Sequence, residues 1–79
     1  MINTAEPALD QRLLEDLQGI VATSENISRV YLVNVLAQIH GAEAAHAHVN
    51  YCFAVGSLRS RGGRVCLCVE LWLETGLGL

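Results

Sequence analysis

The sequence predicts an α+β fold, with one N-terminal helix packed on a three-stranded antiparallel meander in the order α-β-β-β. Three observations lead there. Apolar residues recur at helical spacing near the start, later stretches alternate with period two, and a Gly-Gly pair between apolar runs marks a hairpin. With 79 residues the chain has room for one small domain over 1–79. A hydrophobic share of 52% against 16% charged argues for a packed core rather than a disordered chain.

Residues 1–6 read as a frayed tail. Pro7 suits the first turn of a helix, where a missing N–H costs nothing. Leu9, Leu13, Leu17 and Ile20 follow at helical spacing, Leu14 and Val21 widen the stripe, and the helix is expected over 7–21. Thr23-Ser24-Glu25-Asn26 has loop composition. Residues 27–39 are rich in β-branched side chains, and period two sets Ile27, Tyr31, Val33, Val35 and Ile39 on one face. A strand is predicted there, with a buried helix as the alternative.

His40-Gly41-Ala42-Glu43-Ala44-Ala45 reads as a turn, although 42–47 also suits a helical turn. A second strand is predicted over 46–59, with Ala47, Val49, Tyr51, Phe53 and Val55 facing one way. A third over 64–74 alternates most cleanly, through Val65, Leu67, Val69, Leu71 and Leu73. A two-residue Gly62-Gly63 turn would split these apolar sets between faces. The predicted connection is therefore a three-residue loop, Arg61-Gly62-Gly63, setting Val55 beside Val69 and Phe53 beside Leu71. Residues 75–79 form a short, flexible tail. The three strands make up a sheet over 27–74, with the helix on its odd-numbered face.

This arrangement leaves an even-numbered face carrying Val30, Leu32, Leu36, Leu58 and Trp72. It is too apolar for a solvated antiparallel sheet. The expected use is a protein interface, either a homodimer of sheets packed face to face or a site for another protein, with Trp72 as its anchor.

Charge is divided along the chain. All five basic residues are Arg, against eight acids, which excludes a generally basic nucleic-acid coat. Arg59, Arg61 and Arg64 nevertheless cluster at one hairpin tip, the kind of basic finger that reaches phosphate or an acidic protein surface. At the other pole Asp10, Glu15 and Asp16 belong to an acidic helix suited to an Arg/Lys-rich groove.

His40, His46 and His48 would meet around the first hairpin and, with Glu43 nearby, form a weak metal-ligand set. Solvated histidines are the plainer account, and no metal or other cofactor is expected. Cys66 and Cys68 would lie about 30 Å from His46 and His48 at ~3.3 Å per strand residue, too far to share an ion. Small buried or half-buried thiols are the plain reading of Cys52, Cys66 and Cys68. No nucleophile elbow, phosphate-cradling loop or facing carboxylate pair is present, so no enzyme is expected.

The opening Met1-Ile2-Asn3-Thr4-Ala5-Glu6 lacks the basic start and apolar run of a signal peptide. The cysteines are odd in number, and no apolar run reaches the ~18 to 20 residues of a membrane span. The expected setting is a reducing cytoplasm, away from membranes. The function expected from these features is a non-enzymatic protein-binding module that regulates or blocks a partner by occluding its surface, as a homodimer. Two alternatives stand beside it. One is a phage-type inhibitor of a host nucleic-acid-processing complex, of the anti-CRISPR kind, by analogy of size and acidity. The other is a small nucleic-acid-binding protein using the Arg tip.

Overall fold

Three helices followed by one β-hairpin make up the protein, in a computed structural model that describes residues 9–68. The helices are α1 (Gln11–Thr23), α2 (Arg29–His40) and α3 (Ala42–Val55), and the strands are β1 (Leu58–Arg61) and β2 (Arg64–Leu67). The expected helix on a three-stranded meander is therefore corrected to α-α-α-β-β, with a two-stranded antiparallel sheet. The parts of the predicted third strand and tail beyond residue 68, Trp72 among them, lie outside the described residues. So does Pro7.

Helix α1 is where the sequence reading comes closest. It starts at Gln11 rather than Pro7, because Asp10 is extended and its carboxylate accepts the Arg12 N–H at 3.0 Å as an N-cap. Leu13, Leu14, Leu17 and Val21 are buried, while Leu9, expected in the core, is 39% exposed.

The predicted strand over 27–39 is helix α2. Ser28 is its N-cap, accepting the Tyr31 N–H at 3.1 Å, and Ile27 and Leu32 on either side are both buried, the placement of a hydrophobic staple. Gly41, at φ 95, ends the helix where a residue with a Cβ would be strained. These terminal signals outweigh the β-branched content, whose helical penalty is a few tenths of a kcal/mol per residue.

Most of the predicted second strand is helix α3. Its first turn is rich in Ala, the best helix former, and carries Glu43 at the positive end of the helix dipole. Ala45, His48, Val49 and Cys52 are the buried positions, spaced i, i+3, i+4 and i+7. The period-two pattern through Val49, Tyr51 and Phe53 is coincidental. Since Gly41 alone separates α2 from α3, the two pack side by side and share the most extensive helix contact.

The hairpin turns at Gly62-Gly63, with φ 58 and 81, the pair of positive values that a two-residue turn requires. Arg61 therefore pairs with Arg64, Ser60 with Val65, Arg59 with Cys66 and Leu58 with Leu67. The expected three-residue loop and its odd-to-odd register are corrected. That register keeps 46–59 in phase with 64–74, a need that α3 removes. Leu58 and Val65 turn into the core, and the Val65 N–H donates to the Ile27 carbonyl at 2.8 Å, tying the hairpin to the α1–α2 connection. Among the described residues, no helix is long and apolar enough to cross a membrane.

Candidate functional site

Helix α2 presents an outer face unlike any other among the described residues. Val30, Tyr31, Asn34, Gln38 and Ile39 are exposed along it and Val35 is half-buried. None of these six is charged; Arg29 and His40 stand at the two ends of the helix. By contrast, α1 turns Arg12, Glu15 and Asp16 to solvent. Four large apolar residues are exposed among the described ones, and three of them, Val30 at 70%, Tyr31 at 61% and Ile39 at 61%, lie on this helix. Together these residues form an uncharged, largely apolar stripe of nearly three turns.

The flanks of the stripe differ in character. Toward α1, Val35 and Ile39 line a shallow groove of about 380 Å³ whose other wall carries Glu15 and Asp16. At its end His40 Nε2 lies 2.8 Å from Asp16 Oδ2. Toward α3, Val30, Val33 and Asn34 line a smaller groove of about 180 Å³ with Arg29, His46 and Asn50. The Arg29 guanidinium donates to the Asn50 carbonyl oxygen and stacks 4.2 Å from the Phe53 ring centroid. Such a stack is worth about 0.5–1 kcal/mol at an exposed site and holds the guanidinium beside the stripe.

The residues expected to form an interface are distributed differently. Leu32 and Leu36 are fully buried and Leu58 is 1% exposed, so all three are core residues and offer no docking surface. A strand would have placed Leu32 and Leu36 opposite Tyr31 and Val35; the helical turn sends them inward instead. Trp72 lies outside the described residues. The stripe itself escapes the strand reading, which assigns Tyr31, Val35 and Ile39 to the covered face. Asn34 and Gln38, four residues apart and alone in their polarity, are the signal that could have marked a solvent-facing helix side.

His40, His46 and His48 do not converge. Each nitrogen of the buried His48 is already in use: Nδ1 donates to the Ala44 carbonyl at 2.8 Å and Nε2 accepts the Asp10 N–H at 2.9 Å. A carbonyl can only accept, so the ring is the neutral Nδ1–H tautomer and serves as a latch between α1 and α3. His40 faces Asp16 and His46 stays exposed on the α3 side. No group of three or more His, Cys, Asp or Glu able to hold a metal ion occurs among the described residues. Within the acidic helix, Asp10 serves as cap and Asp16 meets His40, which leaves Glu15 exposed without a partner among the described residues.

Arg59, Arg61 and Arg64 do come together. In the two-residue-turn register they share one face of the hairpin with Cys66, and all three are exposed. A three-residue loop would have turned Arg64 away from the other two.

Compared with known proteins, the chain matches no family model, no curated protein and no solved structure.

Proposed function

We infer that the protein is a non-enzymatic protein-binding module whose docking surface is the outer face of α2, and that the occupant of that face is a second copy of the chain. The observation that carries this reading is the stripe of Val30, Tyr31, Val35 and Ile39 without a charge between its ends. It replaces the face-to-face sheet dimer, which the helical fold does not permit.

The second copy fits for two reasons. Tyr31 and Ile39 lie four residues to either side of Val35, so antiparallel pairing about a two-fold axis at Val35 sets Tyr31 against the partner's Ile39. Tyr31, Val35 and Ile39 then each meet an apolar side chain, Val30 reaches the level of the partner's His40, and one patch satisfies both copies. The ends are also complementary. Arg29 lies six residues before Val35, so it reaches the level just past the partner's His40, beside the partner's Asp16. Rim charges of this kind set orientation more than affinity. Regulation would follow from what the paired module covers or displaces.

Sedimentation equilibrium at micromolar concentration tests the reading. The wild type should give twice the chain mass of 8.5 kDa. Tyr31→Asp and Ile39→Asp should each give monomer with unchanged far-UV circular dichroism, because both residues are solvent-exposed in the single chain. A monomeric wild type, or a dimer indifferent to both changes, overturns the reading.

A further inference from the structure

The hairpin carries a second surface that α2 does not explain. Arg61 and Arg64 are directly cross-strand, and Arg59 follows on the same face, two pairs further along. Like charges placed opposite each other on a two-stranded ribbon oppose its formation. None of the three side chains has an ion pair or hydrogen bond among the described residues, and no Asp or Glu occurs anywhere between Glu43 and Glu70. Three guanidinium groups without a partner among the described residues thus stand on one face of a ribbon that would be more stable without them. Beside them lies an open groove of about 470 Å³ bordered by Arg59, Arg61, Cys66 and Cys68.

We propose that this face binds the phosphate backbone of a nucleic acid, with Arg59, Arg61 and Arg64 each contacting a phosphate. An acidic protein surface is the competing occupant, and the composition of the face decides against it. Protein interfaces concentrate their energy in desolvated aromatic or aliphatic anchors. Among the described residues this face offers three guanidinium groups and the Cys66 thiol, with no such anchor. Phosphate binding needs none, because releasing counterions drives it. Arginine also suits the task better than lysine, since its planar fork grips two phosphate oxygens at once. Residues 59 and 61 are about 6.6 Å apart along the strand, a spacing over which neighbouring phosphates of one strand can each be met. The ribbon is narrow enough for a duplex groove about 12 Å wide. With all three guanidinium groups engaged on phosphates, and no amide or carboxylate on the face among the described residues, binding is independent of sequence.

Fluorescence anisotropy of a labelled duplex, titrated with the full chain at several salt concentrations, is the experiment. Three phosphate contacts per chain give a slope of log K against log salt near −2.7 for a duplex, and near −2.1 for the same strand alone. Affinity for the duplex then falls about 500-fold between about 20 and about 200 mM salt. The two slopes distinguish duplex from single strand as the source of the phosphates. The triple variant R59A/R61A/R64A should lose binding, each single Ala variant should lower the slope by about 0.9, and the triple Arg→Lys variant should keep the wild-type slope. The triple Ala variant should keep its sedimentation mass, since it leaves α2 untouched; failure of the dimer and failure of the phosphate site therefore register in different measurements. Absence of binding at low salt overturns the proposal. So does binding that survives the triple Ala change, or that polyglutamate displaces at equal charge concentration.

Discussion

His48 fastens the start of α1 to α3 with one hydrogen bond, accepted at Nε2 from the Asp10 N–H, while its Nδ1–H donates to the Ala44 carbonyl one turn back in α3 and fixes the ring. His48→Ala would leave the Asp10 N–H without its acceptor and open a void beside Ala45 and Val49. The expected loss is about 1 kcal/mol by urea denaturation, that of one hydrogen bond, with the packing of the buried ring lost in addition. A change below about 0.5 kcal/mol, the size of an ordinary surface substitution, would show that the latch carries no load. Cys52 makes a different prediction. Burial pushes its thiol above the usual 9.0, partly offset by a hydrogen bond with Ser57. The folded chain therefore keeps a proton that the unfolded chain has lost once the pH exceeds about 9, and stability falls as pH rises beyond that point. Below it both states are protonated and the effect vanishes. A thermal-denaturation series from neutral to alkaline pH should show the decline in wild type and a shallower one in Cys52→Ala.

At the scale of elements, the helix ends decide more than the residues between them. Ser28→Ala removes the cap of α2 and should cost about 1 kcal/mol. Gly19 lies inside α1, and a methyl group added at its Cα would meet no atom within 4 Å, so Gly19→Ala should add about 0.5–1 kcal/mol of stability. The opposite signs, read from one set of urea curves, check both elements together. The same ends explain what is legible in the sequence. The first helix can be read because its charged and apolar sides are separated. In α2 and α3 the apolar residues surround the helix, so no clear stripe emerges and β-branched alternation takes its place. Ser28 and Gly41, bracketing twelve residues, and the Ala-rich start at Ala42 carry the correct message. At the hairpin the Gly62-Gly63 signal is right, and a mistaken strand upstream overrules it.

For the whole molecule, the consequence of that misreading is an inside-out α2. Leu32 and Leu36 belong to the core, while Tyr31, Val35 and Ile39 belong to the surface. An excess of apolar residues over what one small core can bury is legible in the sequence; where the excess surfaces is not, because that depends on the helical turn. The charge division survives the correction, with an acidic α1 and a basic hairpin, and α2 lies uncharged along its outer side. Three surfaces with three chemistries follow, and pairing through the uncharged one can be tested most directly. Oxidative cross-linking of Val35→Cys, in a chain whose Cys66 and Cys68 are Ser, reads the two-fold axis. Val35 should lie next to the partner's Val35, so a disulfide-linked dimer should form rapidly and nearly completely at micromolar concentration. Cross-linking no faster than that of Glu43→Cys, an exposed position on α3 away from the axis, would contradict pairing through α2.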